Sequence, residues 1–243
     1  KCRADIQKIY GRLNIDFDVE YGESFYHEML PGVVQKLRDQ NLAVDSEGAV
    51  CVFLDDFDTP MIVQKSDGAF LYSTTDLATI EYRVDQWQPD EILYVVDHRQ
   101  SEHFQKLFAV AQSWIAGSVQ MRHISFGTVL DEHGRPYKTR SGSAVGLEGL
   151  LDEAVAKALD IVSADSGDGN NEYALTTQQC EEVADAVGHG AIKYADLAHN
   201  RTSDYVFSYD KMMALEGNTA TYMQYCYARV QSIFRKGEVD LEQ

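Results

Sequence analysis

Apolar and polar positions follow two rhythms along the chain, and the changes of rhythm divide it. Residues 1 to about 65 mix them. CRADIQKIYGRL predicts a short helix reaching Leu13, a helical pattern runs from Pro31 to Gln40, and AVCVFL, Ala49 to Leu54, is a continuous apolar run. From Lys65 the pattern becomes regular. AFLYST is β-prone, and TDLATIEYRV after it predicts a helix capped by Thr74 or Thr75, with Asp76 in its first turn. EILYVVD, Glu91 to Asp97, predicts an apolar strand, and SEHFQKLFAVAQSWIAG a helix closing on Gly117. QMRHISFGTVL, Gln120 to Leu130, predicts a third strand, and the loop DEHGRPYKTRSG follows it.

Strands and helices that alternate through short connections predict an α/β fold, a parallel sheet covered by helices. Ligands of such sheets sit outside the carboxyl ends of the strands. Ser73 to Asp76 and Asp97 to Gln100 are therefore expected to converge, with the loop after Leu130 placed to close over the same crevice. After the helical pattern LEGLLDEAVAKALDIV comes SADSGDGNN, Ser163 to Asn171, whose sole apolar residue is an alanine, and it reads as a flexible connector. Beyond it the pattern is helical throughout. Tyr222, Cys226, Val230 and Ile233 recur at helical spacing, Thr219 is placed to cap and Gly237 to stop, and Arg235 and Lys236 lie in the last turn. The expected divisions are residues 1–65, 66–160, 161–215 and 216–243.

Composition narrows the classes. A chain of 243 residues, 44% hydrophobic, is long enough for one large domain or two smaller ones, each with a proper core. It contains no apolar run of about 18 residues and no signal-like start, so it reads as neither membrane-spanning nor exported, and the cytoplasm is the expected location. Cys2, Cys51, Cys180 and Cys226 include no Cys-x-x-Cys pair, which favours buried free thiols over a zinc knuckle or a disulfide framework. A formal charge of −18 argues against broad adhesion to DNA or to an anionic membrane surface. Because it starts at Lys1 and enters a helical pattern at once, the chain reads as a fragment or a processed product.

The candidate chemistry lies at the two expected strand ends. Tyr72, Asp76 and Gln100 supply a hydroxyl, a carboxylate and an amide, which match the planar donor fork of a guanidinium better than a compact ammonium. Each has a plainer reading: Asp76 as a charge at a helix N-terminus, Tyr72 as core and Gln100 as a helix-start residue. The pocket rests on the three occurring together. In GRPYKTRSG, Arg135, Lys138 and Arg140 form a basic island in an acidic chain, suited to the charge that develops on a triphosphate when its α-phosphorus is attacked. A solvated basic loop is the equal alternative, since neither a Walker lysine loop nor a Gly-x-Gly-x-x-Gly element accompanies it. His103 and His123 are placed to approach a nucleotide from the same crevice, with packing or surface roles as the alternative. YMQYCYARVQSIF reads as core and interface rather than as a base-stacking platform.

Taken in order, KSDGAFLYSTTDLATIEYRV, ILYVVDHRQSEHFQKLF, HISFGTVL, KTRSG and AIKYADLAHNRTSDYVFSYDKMMALEGNTATYMQYCYARVQSIFRK resemble the arginyl-tRNA synthetase family. They match the C-terminal half of the catalytic region of its bacterial members, running into the first helix of the anticodon-binding domain. The resemblance covers nearly the whole chain. It implies the second half of a class I Rossmann-type parallel sheet followed by an all-α segment, and a parent reaction in which L-arginine is activated by ATP and passed to tRNA(Arg). Mg²⁺ would travel with ATP, with no protein metal site. On the motifs matching LYSTTD and VDHRQ, the family holds the arginine side chain at positions that fall here on Tyr72, Asp76 and Gln100. ATP contacts are implied at His103, Gly127, Lys138, Thr139, Arg140 and Ser141, with Lys138 and Arg140 as the catalytic cations.

The sequence also departs from the family pattern. GRPYKTRSG stands in place of a Lys-Met-Ser-Lys-Ser signature, with Pro136 and Tyr137 where the first lysine and methionine would be. No His-Ile-Gly-His element, N-terminal tRNA-binding domain or complete anticodon bundle lies within residues 1–243, and residues 1–65 would correspond to an inserted segment between two sheet halves. The expectation is a fragment inactive by itself. A non-catalytic arginine- or tRNA-binding paralogue and another nucleotide-binding α/β enzyme are the alternatives.

Overall fold

Alternation along EILYVVD decides one layer of the structure: Ile92 and Tyr94 turn inward, while Leu93 and Val95 remain exposed. The computed structural model describes residues 2–115, 119–131, 133–136, 146–166 and 175–237. In chain order its elements are α1 (Cys2–Arg12), α2 (Leu30–Asp39), β1 (Ala43–Ser46), β2 (Ala49–Val52), β3 (Met61–Gln64), α3 (Tyr72–Trp87), β4 (Glu91–Asp97) and α4 (Ser101–Trp114). They continue with β5 (Gln120–Phe126), β6 (Val129–Leu130), α5 (Leu147–Ser166), α6 (Thr177–Ala198), β7 (Tyr205–Val206), α7 (Tyr209–Met212) and α8 (Ala220–Lys236). Short 3₁₀ turns at Glu23–Met29 and His98–Gln100 precede α2 and α4. The elements form two compact units, one of Phe17–Gly127 and one of Lys1–Asp16 with Thr128–Gln243.

In the first unit β1, β2 and β3 make an antiparallel sheet in that order, and β4 pairs with β5 in parallel from Glu91↔Gln120 to Asp97↔Phe126. The β1–β2 hairpin turns on Glu47 and Gly48, both at positive φ (52° and 80°), as a two-residue turn of matching twist requires. One core joins the helices to the sheets: Val33 and Leu37 of α2, Val63 of β3, Leu77 and Ile80 of α3, and Leu107 and Val110 of α4 are all fully or almost fully buried.

Three elements differ from the sequence reading. AFLYST forms no strand: Phe70 makes a single bridge to Gln64, and the chain enters α3 at Tyr72. Neither Thr74 nor Thr75 caps that helix, whose N-cap is Leu71 without a side-chain cap. The hydroxyls act differently, Ser73 Oγ donating to the Ile62 carbonyl at 2.6 Å and Thr74 Oγ1 to the Val63 carbonyl. These bonds tie the start of α3 to β3, and they move Asp76 out of the first turn. The third expected strand ends at Phe126, because Val129 and Leu130 leave for a separate parallel pair with Tyr205 and Val206. That pair also interrupts the run expected to be wholly helical.

In the second unit α5 and α6 meet through small residues. Ala154, Ala158, Ala184, Ala191 and Ala195 are buried, and a Cβ on Gly188 would lie 2.7 Å from the Val155 backbone nitrogen. A capping box of Thr176 and Gln179 opens α6. α1 is held by polar ties: Arg12 donates to Asp152 Oδ1 of α5 at 2.6 Å and to His189 Nε2 of α6 at 3.1 Å, and Lys193 donates to the Leu13 carbonyl. α5 runs on through Ser166, so the expected connector begins four residues inside a helix, and residues 167–171, like Gly117, lie outside the described residues. Thr219 caps α8 by accepting from the Tyr222 N–H, and Gly237 closes it, as expected. α8 is not core: Ala220 alone is buried, and Tyr222, Val230 and Ile233 are exposed. Cys51 and Cys180 are buried free thiols, and Cys226 is half-buried. No helix among the described residues is long and apolar enough to cross a membrane.

Two expectations concern this unit. Gly188→Ala drives a methyl into backbone and is expected to destabilise by about 1–3 kcal/mol. At Gly190 the obstructing atom is the movable Gln224 side chain, so Gly190→Ala is expected to cost far less; urea unfolding of the two variants compares them. The second concerns pH. Burial, then the Arg12 charge, hold His189 below its ordinary value, so the unfolded state takes up the proton first. Its stabilising contribution is complete above about pH 6.5 and is lost as pH falls through the lower folded-state value. Between pH 7.5 and 5.5 the wild type is expected to lose more in urea midpoint than His189→Gln.

Candidate active site

α3 begins at Tyr72, so Tyr72 and Asp76 are four residues apart and share one helix face. Pinning of Ser73 and Thr74 to β3 fixes that face at the helix start. α4 enters beside it. His103, on the first turn of α4, donates from Nε2 to Asp76 Oδ2 at 2.7 Å, and its ring meets the Tyr72 ring with centroids 4.6 Å apart at 63°. Tyr72 is 61% exposed and the Asp76 side chain 32% exposed, whereas the His103 side chain is nearly buried. Tyr72 is therefore not core. Asp76 lies too far along α3 to serve mainly as a helix-dipole counter-charge, an effect confined to the first turn.

Gln100 arrives by a separate route. It ends the turn His98–Gln100 at the carboxyl end of β4, and three ties shape that turn. Asp97 accepts from the Arg99 backbone N–H at 2.8 Å and from its guanidinium at 2.9 and 2.6 Å. These bonds, the side-chain ones first, bring the Asp97 carboxyl down to about 2. His98 Nδ1 donates to the Phe126 carbonyl at 3.2 Å, and Ser101 Oγ donates to the His98 carbonyl at 2.5 Å. Gln100 is exposed at the N-cap of α4, one turn before His103, and among the described residues no hydrogen bond joins it to Tyr72 or Asp76.

Rings support the site from below. Phe104 packs against His103 at 5.1 Å, stacks on His123 at 4.8 Å and 28°, and meets Tyr94 at 5.0 Å. His123 Nε2 donates to the Val96 carbonyl at 2.9 Å, so this histidine packs and braces the sheet. Burial raises the Tyr94 phenol to about 12, and the Arg83 guanidinium lies 5.4 Å over its ring.

The chain thus gathers Tyr72, Asp76 and His103, with Gln100 on the adjoining turn. A carboxylate held by an imidazole, open on one side and one helical turn from an exposed phenol, suits a planar cation. Gly127 is half-buried just after β5. Arg135, grouped in sequence with the phosphate-binding cations, is tied to Asp131, whose Oδ2 accepts from its guanidinium at 3.1 Å. Lys138, Thr139, Arg140 and Ser141 lie outside the described residues. Tyr194 donates to Asn218 Oδ1 at 2.6 Å. Sequence reasoning missed the Asp97–Arg99 clasp and the Asp76–His103 pair. A signal existed for the first, since aspartate commonly accepts from the N–H two residues on; the second joins two helices and left no local trace.

A family model described as "tRNA synthetases class I (R), catalytic domain" matches residues 1–209. An arginine–tRNA ligase of Rhodopirellula baltica is 57% identical over 97% of this chain and 35% of its own length, and one of a Cyanothece species is 50% identical over 100% and 42%. The chain thus spans well under half of the curated relatives it matches. Among solved structures, an arginyl-tRNA synthetase of Plasmodium falciparum superposes with a TM-score of 0.82 at 32% identity, over 99% of this chain and 40% of that one. With the family matched across most of its residues, the chain belongs to the arginyl group of the class I tRNA synthetases.

Proposed function

We propose that the protein containing this chain is an arginine–tRNA ligase. In its first step the carboxylate of L-arginine attacks the α-phosphorus of ATP, giving arginyl-adenylate and releasing pyrophosphate. In the second, a hydroxyl of the terminal adenosine of tRNA(Arg) takes the arginyl group and AMP leaves. The observation that carries the reading is the half-open Asp76 carboxylate, one turn from the exposed Tyr72 and beside the rigid turn that presents Gln100. The names of the relatives, both arginine–tRNA ligases, support it.

In this reading Asp76 pairs with the guanidinium, and Tyr72 and Gln100 fix its orientation. Lysine, a point charge without the fork, then leaves acceptors unpaired. Lys138 and Arg140 stabilise charge developing on the triphosphate, with Thr139, Ser141 and Gly127 as further ATP contacts. His103, with one ring nitrogen already on Asp76, keeps only Nδ1 for a nucleotide. Mg²⁺ enters as part of the ATP substrate, and the cytoplasm is the compartment where these partners meet.

Heat-shift titration tests the pocket. L-arginine is expected to raise the melting temperature of the full-length protein, lysine is not, and Asp76→Asn is expected to abolish the arginine shift; equal shifts with both amino acids would contradict the assignment. The isolated chain, whose sequence holds no His-x-Gly-His element for ATP, is expected to show no arginine-dependent ATP–pyrophosphate exchange.

A further inference from the structure

Two of the three groups assigned to the arginine side chain touch the same residue. His103 donates to Asp76 Oδ2 at 2.7 Å and packs its ring against Tyr72. We propose that His103 is a positioning residue for arginine recognition, holding the Asp76 carboxylate in the orientation that receives the guanidinium. This rests on the arginine reading of the site.

A partly exposed aspartate on a helix surface samples several rotamers, and a ligand that needs one of them meets an ordering cost. Here that cost is met before any ligand arrives. The His103 N–H holds one carboxylate oxygen, and the His103 ring is itself fixed by Tyr72 on one side and Phe104 on the other. Phe104 is fixed in turn by His123, whose Nε2 is bonded to the Val96 carbonyl of β4. A continuous series of packed rings therefore runs from the parallel strands to Asp76. The bond to His103 still leaves the carboxylate open to a second donor. Oδ1 is free of it, and each carboxylate oxygen has two acceptor positions. This assignment sets His103 on the amino-acid side of the site through Nε2, the nitrogen bonded to Asp76.

The test is arginine-dependent ATP–pyrophosphate exchange by the full-length protein, with KM for arginine, KM for ATP and kcat measured separately. A glutamine side-chain amide reaches about as far as Nε2, and an asparagine amide only about as far as Nδ1. His103→Gln is therefore expected to keep arginine KM near wild type. His103→Asn and His103→Ala are expected to raise it on the order of ten- to a hundredfold, the worth of a hydrogen bond to a charged group, with ATP KM and kcat little changed. A rise in ATP KM with arginine KM unmoved would overturn the proposal, as would equal losses in the Gln and Asn variants. Asp76→Asn separates the two levels of the argument. If it raises arginine KM while His103→Ala does not, the positioning role alone fails; if it leaves arginine KM unmoved, the arginine reading fails and this role with it. Should His103→Ala melt early, the Gln and Asn variants, both amides of similar polarity, decide the matter by themselves.

Discussion

Two hydroxyl groups at the start of α3 determine where the chemistry of the first unit can sit. Ser73 and Thr74 donate to the Ile62 and Val63 carbonyls of β3, and Thr74 is fully buried in doing so. Each bond satisfies polar groups that burial would otherwise leave costly. Together they lock the first turn of α3 to a strand, which sets the rotation of the helix about its axis. With that rotation fixed, Tyr72 and Asp76 face α4, while Leu77 and Ile80 turn into the core. Rotating the helix to expose Asp76 fully would drag buried leucine and isoleucine into water and break both hydroxyl bonds.

The site combines this fixed helix with a fixed turn. The Asp97–Arg99 clasp and the bond from His98 to the end of β5 make the turn before α4 a shaped piece, so Gln100 and His103 are presented from a defined helix start. Parallel pairing of β4 and β5 brings the relevant loops to one end of the strands. A net charge of −18 does not distinguish the site, because exposed acidic residues are plentiful. Under the proposed function selectivity rests on geometry: one carboxylate held by an imidazole, one turn from an exposed tyrosine, rather than a general negative field.

Much of this was legible in the sequence, for reasons that vary by element. β4 has the ends its sequence predicts, Glu91 to Asp97, because EILYVVD is a short apolar run. α8 was bounded correctly by a threonine cap and a glycine stop, both local chemistry. AFLYST misled because aromatic and hydroxylic residues favour strands locally, whereas here the serine and threonine hydroxyls serve a contact with β3. β6 and β7 are too short to carry a period and exist only through pairing across a long stretch of chain. Tyr72, Asp76 and Gln100 could be nominated from residue type and motif, but His103 as the partner that Tyr72 and Asp76 share could not, since a contact between helices has no sequence spacing.

Under the proposed function Asp76, held by α3 and His103, recognises the charged fork of arginine. Citrulline has nearly the same length and shape with a neutral ureido group in place of the guanidinium, so calorimetric titration of the full-length protein with both ligands isolates the charge. Arginine is expected to bind measurably and citrulline with affinity weaker by at least about a hundredfold, the effect of losing a charge-assisted contact. Comparable affinities for the two would contradict it.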